Sequence, residues 1–525
     1  MADSFRFQAL NRRDFIVGAG VALLGAGRER CVAFAQSAPL DAHALLLGSP
    51  IACGRLTAVN MSAARSLPGV LAVLRVSGED ELQYVGQPLL LVVAQRPEVA
   101  AEALKLCTVS YESRPAVLTM SAALRSAYVP AKSAGAALTY ERGNIEAALA
   151  EAAGGGLLKQ TYRTAAEPRR PLPPSPVAVV AEPGAGGAGA GEPRELRRLA
   201  ALAAQKVGRP VRLVVSPEQA ALLGGGRPET IQTVTLTAGQ DGRLQALLHG
   251  SLSETGMQQD HVEPCGILSP HLYHAGSVRV SHQVVRKNIG PVAALPAAGQ
   301  VAGLFALESA LDELAYLLRI DPLRLRVLNH AEIDEATGQP WAGKRLRECY
   351  RIGAERVGWH GPDGRTREPR ERRPWESKLM GLGMASTMTL PQSGDGGSRA
   401  GFGAHFTRLA VDPASGAIEI LRQVVVLDLG ASSELKRLEA AAEAGVAQAL
   451  GSAFAEPGQV KLPQLDVMLL ESAPSGANPA PVLDAGQVRE LAMAGVAAAA
   501  ASAIYHATGV RCRELPIRTA SLRRA

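Results

Sequence analysis

Short apolar runs alternate with helical stretches along much of the chain. Leu89–Ala94 is an uninterrupted apolar run, Pro97 opens a helical stretch through Leu104, and Leu106–Tyr111 is strand-like again. This order predicts a βαβ unit. A Gly/Ala/Pro-rich run, Glu182–Pro193, leads into a helix of alternating Leu and Ala that reaches Lys206, and Pro210–Val215 then reads as a strand. Ile231–Thr237 and Arg243–Ser251 flank Gly239-Gln240-Asp241-Gly242 and predict a hairpin; Phe406–Val411 and Ile418–Leu427 do so around Asp412-Pro413-Ala414-Ser415-Gly416. Between the hairpins, Leu304, Leu307, Leu311, Leu314 and Leu318 recur at helical spacing, which predicts a core-packing helix over 304–318. The pattern is mixed α and β, without an internal repeat.

With 525 residues, 47% of them hydrophobic, the chain can bury a large core and divide into two to four domains. The net charge of +6 owes much to Arg12, Arg13, Arg28 and Arg30 and to the arginines between Arg365 and Arg373, a segment that reads as a solvated loop. Aromatics make up only 4% of the chain and no basic stripe interleaves with them, which argues against a nucleic-acid partner. The six cysteines are scattered and form no CxxC, which argues against zinc or an iron–sulfur cluster held by this chain. His271 and His274 have a spacing that suits a metal, given partners the sequence does not identify, and equally suits ordinary core or surface histidines.

Near the start, Arg12-Arg13-Asp14-Phe15 precedes a Gly-rich apolar run, Val17–Gly27, and then Ala33-Phe34-Ala35. Together these resemble a twin-arginine export signal over residues 1–35, implying a periplasmic protein exported already folded. Arg28-Glu29-Arg30 between the apolar run and the small residues departs from that pattern and leaves the cleavage position open.

Two features carry candidate chemistry. Glu490 heads a stretch, Leu491–Gly509, that contains no other acid, no Lys and no Arg. Such a carboxylate is either a desolvated acid with a raised pKa, fit to act as a general base, or a helix-terminal acid that complements the dipole. Gly186, Gly187 and Gly189 precede a helix start, where backbone N–H groups cradle anions; a flexible linker has the same composition.

Several segments resemble, in order, the large subunits of molybdenum hydroxylases, closest to the periplasmic aldehyde oxidoreductases of the xanthine dehydrogenase family. They are Gly86-Gln87-Pro88, Tyr140–Asn144, Thr161–Thr164, Gly208–Val211, Arg227–Gln232, Ala306–Ala315 with Ile320-Asp321-Pro322, Tyr505–Gly509 and Leu515-Pro516-Ile517. The resemblance implies an α+β chain: an α/β hammerhead domain (36–125), a first molybdopterin-binding-type domain (126–360), a charged, Gly-rich linker (361–400) and a shortened second such domain (401–525). It implies a molybdenum–molybdopterin cofactor in the cytosine dinucleotide form, an aldehyde or N-heterocycle as substrate, and electron transfer to an iron–sulfur subunit and an FAD or cytochrome subunit. Counting back from Ala507-Thr508-Gly509 places Glu490 on the family's catalytic base. Gly186, Gly187, Gly189 and Gly299 fall at cofactor-contacting loops.

The chain also departs from the family. The usual Gly-Gly-Phe-Gly loop is replaced by Gly186-Gly187-Ala188-Gly189, and the Met-Arg-Ala-Pro-Gly-Glu motif by Leu295-Pro296-Ala297-Ala298-Gly299-Gln300. Arg169 and Leu172-Pro173-Pro174 stand where a His and a Met-Glu-Pro are expected, and the long segment that follows Pro391 in relatives is nearly absent. Two readings remain open: a shortened molybdenum hydroxylase subunit, or a cofactor-free structural or assembly partner in such a complex.

Overall fold

The computed structural model describes residues 42–523 except 132–137, 152–154, 169–174, 185–193, 293–296, 360–376, 395–396, 431–433, 471–482 and positions 457, 459, 462 and 464. The apolar run at Leu89 is buried on both faces because it lies inside a sheet. Strands β1 (His43–Gly48), β2 (Gly54–Asn60), β3 (Val70–Arg75) and β4 (Pro88–Ala94) come first, and β4 runs antiparallel between β1 and β3. Helix α1 (Pro97–Leu106) begins with Pro, whose missing N–H has no intrahelical partner to lose, and buries Val99, Ala100, Ala103 and Leu104. Strand β5 (Thr108–Ser113) then pairs with β2 in a separate sheet. The expected strand–helix–strand order is present, but it is not a βαβ unit. Both edges of β4 are already occupied, so the chain leaving α1 has no free edge to join.

Strands β6 (Thr139–Arg142), β7 (Gly156–Thr164) and β8 (Val177–Ala181), helix α2 (Arg194–Val207) and strand β9 (Val211–Val215) follow. Here β8 and β9 return to the first sheet, whose order is β8-β9-β1-β4-β3. Leu196, Leu199, Ala200, Ala203 and Ala204 place the apolar stripe of α2 against it. Strands β8 and β9 and helix α2 therefore pack with the N-terminal segment, although sequence order groups them with the first cofactor-type domain.

The first predicted hairpin is β10 (Thr230–Ala238) with β11 (Leu244–Gly256), flanked by β7 and by β12 (Ser277–Lys287), which runs parallel to β11. Helix α3 (Gln300–Leu318) packs on this sheet. It is enclosed on more than its leucine stripe: Phe305, Ala306, Glu308 and Asp312 are buried as well.

The rest of the chain supplies α4 (Leu346–Val357), β13 (Leu379–Met388), β14 (Phe402–Val411), β15 (Ile418–Asp428), α5 (Leu435–Ala453), β16 (Leu465–Leu470), α6 (Ala485–Ala494) and α7 (Val496–Thr508). The second predicted hairpin is β14–β15, extended by β13 on one side and β16 on the other. Within the expected linker over 361–400, residues 379–388 are strand β13 instead. Its glycines weaken the strand pattern, yet packing requires them: a Cβ on Gly381 would lie 1.9 Å from the Ala503 carbonyl oxygen, and one on Gly383 2.2 Å from that of Ala499. The alanine-rich α7 thus lies directly on the strand backbone. Residues 485–508 are apolar and long enough to cross a membrane, but 94% of their most apolar window is buried inside the protein, as in a core helix.

Candidate functional site

Helix α6 carries Glu490, and its start explains what that residue does not do. Asp484 is the N-cap: its carboxylate accepts from the Gln487 N–H at 2.8 Å, and the Gln487 side chain accepts from the Asp484 N–H at 3.1 Å. Asp484 therefore complements the helix dipole. Glu490 lies a turn further in, where that effect has faded, so the helix-terminal reading of Glu490 does not hold. The residue is half-buried, and burial holds its carboxyl above the usual range, with Asp484 adding to the rise; a backbone hydrogen bond from Ala297 and the charge of Arg227 oppose it.

The turn facing Glu490 is 297–300. Ala297 has φ 57° and Gly299 φ 72°, the left-handed region. A Cβ on Gly299 would sit 2.4 Å from the Pro264 carbonyl oxygen. The Gly299 N–H donates to Glu263 Oε1 at 2.6 Å. Arg227 Nη1 donates to the same oxygen at 3.1 Å and to the Ala297 carbonyl at 3.2 Å. Both Arg227 and Glu263 are buried. This pair holds the strained turn in place beside Glu490.

The structure places Glu490 on α6 and Gly299 in the turn that faces it. Gly186, Gly187 and Gly189 lie outside the described residues, as do Pro296, Arg169 and Leu172–Pro174. Gly299 shapes the turn, because its amide is spent on Glu263. Sequence reasoning missed the Arg227–Glu263 pair as part of the site. Arg227 stands out only as one member of a longer motif, and nothing local marks Glu263 as its partner 36 residues on.

Behind α6, His405 is fully buried and held neutral, its pKa pushed down to about 3 by burial. A Cβ on Gly495 would lie 2.4 Å from the His405 ring, which accounts for the glycine joint between α6 and α7. His271 and His274 have carboxylate partners: His271 Nδ1 lies 2.6 Å from Asp334, and His274 Nδ1 lies 2.6 Å from Glu335. No metal-binding group occurs among the described residues, and their five cysteines are free.

Residues 171–330 match the molybdopterin cofactor-binding domain family. The molybdenum-binding subunit PaoC of the Escherichia coli K12 aldehyde oxidoreductase is 28% identical over 388 residues, covering 62% of this chain and 51% of that subunit. The chain is a homologue of molybdenum hydroxylase large subunits. A probable hypoxanthine oxidase of the same organism, XdhD, is 31% identical over 173 residues, covering 30% of this chain and 18% of that protein. The fold is shared with the aldehyde oxidoreductase of Desulfovibrio gigas (TM-score 0.73, 16% identity, 93% of this chain and 77% of that one). Quinoline 2-oxidoreductase of Pseudomonas putida 86 shares it too (TM-score 0.73, 17% identity, 97% and 96%). The α+β architecture expected of a molybdenum hydroxylase homologue is the one found. The chain spans about half the length of PaoC.

The donor set around the turn fits a molybdopterin. Glu490 supplies a half-buried carboxylate, and Gln300 Oε1 and Glu263 Oε2 are buried acceptors without a hydrogen-bond partner among the described residues. This set suits a group rich in N–H donors, as a pterin ring is, and leaves one carboxylate to exchange a proton.

Proposed function

We propose that the chain is the substrate-oxidising subunit of a molybdenum hydroxylase that acts on aldehydes or N-heterocycles, with Glu490 as its base. The observation that carries this reading is the half-buried Glu490 carboxylate beside the 297–300 turn, its pKa raised by burial. A molybdenum–molybdopterin, when bound, would accept the electron pair as water-derived oxygen is added to the substrate carbon. The turn and Gln300 would hold the pterin, and Gly186, Gly187 and Gly189 would hold the phosphates of a cytosine dinucleotide form. Glu490 takes up a proton on its carboxylate oxygen. Its raised pKa brings proton affinity closer to neutral pH, where a base is most effective. Arg227 and Glu263 keep the turn beside it from relaxing.

Electrons would leave through an iron–sulfur subunit and an FAD or cytochrome subunit, because the described cysteines are scattered and free. Replacing Glu490 by Gln should cut turnover by about 10²–10⁴-fold with molybdenum content unchanged. Turnover close to that of the parent would reject the assignment. Export by the twin-arginine route is proposed from Arg12-Arg13-Asp14-Phe15. Lysine at both arginine positions should retain the precursor in the cytoplasm, and undiminished periplasmic recovery would count against that route.

A further inference from the structure

Lys344 lies two residues ahead of α4, and its amine is held in a cage of rings. Nζ sits over the faces of Trp341, 5.1 Å from the centroid, and of Phe402 on β14, at 4.8 Å. It donates to the Ala331 carbonyl at 2.9 Å. The side chain is half-buried, so a small reagent can still reach it.

The acids around this amine are engaged by other partners. Glu332 pairs with Arg347 at 2.6 Å, Asp334 accepts from His271 and Ser398, and Glu335 is held by Arg142 at 2.9 Å and His274 at 2.6 Å. On the Phe402 side, Asp428 accepts from the Arg345 N–H at 2.8 Å. Burial keeps His330 neutral, its pKa pushed down to about 3, with Lys344 and Arg347 adding to the fall. Ring faces hold a cation more weakly than a carboxylate in contact does. Burial therefore wins at Lys344 and, with Arg347, pushes its pKa down to about 7, against the pull of Glu332, Asp334 and Glu335.

An amine in this state is a nucleophile at neutral pH. About half of it carries a free lone pair at pH 7, against roughly one in a few thousand for an exposed lysine. The Ala331 carbonyl takes an N–H and leaves that lone pair unengaged.

We propose that Lys344 is a site of covalent acylation, modified by small acyl phosphates without a second enzyme. The Nζ lone pair attacks the acyl carbon, a C–N bond forms, the C–O bond to phosphate breaks, and inorganic phosphate leaves with the bonding pair. The amine proton passes to water, and nothing is oxidised or reduced. The product is a neutral amide, which suits the cage, and its remaining N–H can still donate to Ala331. Folding precedes crossing in the export route proposed above, so the cage forms while the chain is still among cytoplasmic acyl phosphates.

The test incubates the full chain with acetyl phosphate from about pH 6 to 9 and follows each lysine by peptide mass spectrometry. At pH 7, Lys344 should be acetylated at least about tenfold faster than exposed Lys105, Lys159 and Lys436, its lone-pair advantage being cut by lower basicity and restricted approach. Its rate should level off above about pH 7.5 while theirs go on rising. In urea that unfolds the chain, the preference should vanish. Lys344→Arg should lose the fast addition in intact-mass measurements. Lys344 reacting no faster than the exposed lysines, a rate that climbs with theirs to the highest pH, a preference that survives unfolding, or a fast addition that persists in the variant would overturn the proposal.

Discussion

Replacing Glu308 by Gln should destabilise the fold more than any comparable change on the surface. Glu308 and Arg326 are both fully buried and joined at 2.8 Å. The same carboxylate accepts from the Tyr273 hydroxyl at 2.7 Å and the Ser386 N–H at 2.8 Å. It therefore ties α3 and Arg326 to β13, the strand on which α7 lies. The amide keeps the volume and one acceptor but removes the carboxylate charge that contacts the buried Arg326 guanidinium. Breaking a buried pair in this way costs about 3–5 kcal/mol. Adding Arg326→Met removes the stranded charge, and the carbonyl of the introduced amide can still accept from Ser386 or Tyr273, so the double variant should lose only about 1–2 kcal/mol. Urea unfolding of the parent, both single variants and the double variant closes the cycle. A Glu308→Gln cost below about 1 kcal/mol, or a double variant no better than the sum of the singles, would refute the reasoning.

The same logic applies elsewhere. Because burial raises the Glu490 pKa, the folded state holds its proton more tightly than the unfolded state. Stability from that group is complete below the unfolded pKa and lost as pH rises through the folded one. Glu490→Gln should therefore be more stable than the parent at pH 7 and equal to it near pH 4 in denaturant unfolding; a less stable variant at pH 7 would contradict this. Asp334 behaves oppositely. Burial pushes its pKa up, but hydrogen bonds from His271 and Ser398 outweigh this and hold it at about 2. Its stabilisation is present above about pH 4 and lost as pH falls through about 2, so Asp334→Asn should be weaker than the parent at pH 6 and lose less on acidification. Equal pH dependence in the two would count against these hydrogen bonds to Asp334.

Much of the architecture was legible because burial leaves a periodic trace. Both hairpins and α3 formed where alternation and leucine spacing placed them. Strand β13 was hidden because Gly381 and Gly383 serve close helix contact, and glycine reads locally as loop. The sheet membership of β8 and β9 was not legible, since pairing with β1 joins residues far apart in sequence and local pattern carries no partner information. At the site, Glu490 could be found because it is the lone acid at the head of a long neutral stretch. The turn beside it is held by Arg227 and Glu263, which approach through the fold from two other segments. The dipole reading failed for a local reason: Asp484 and Gln487 form the capping box, placing the helix start earlier than expected.

The central claim is that Glu490 serves a bound molybdenum cofactor, and metal and pterin analysis of the full chain, produced with the molybdenum cofactor machinery, tests it most directly. Molybdenum and a pterin nucleotide approaching one per chain, unchanged in Glu490→Gln, is the predicted result. A folded protein that carries neither would contradict it and leave the cofactor-free structural subunit as the reading that stands.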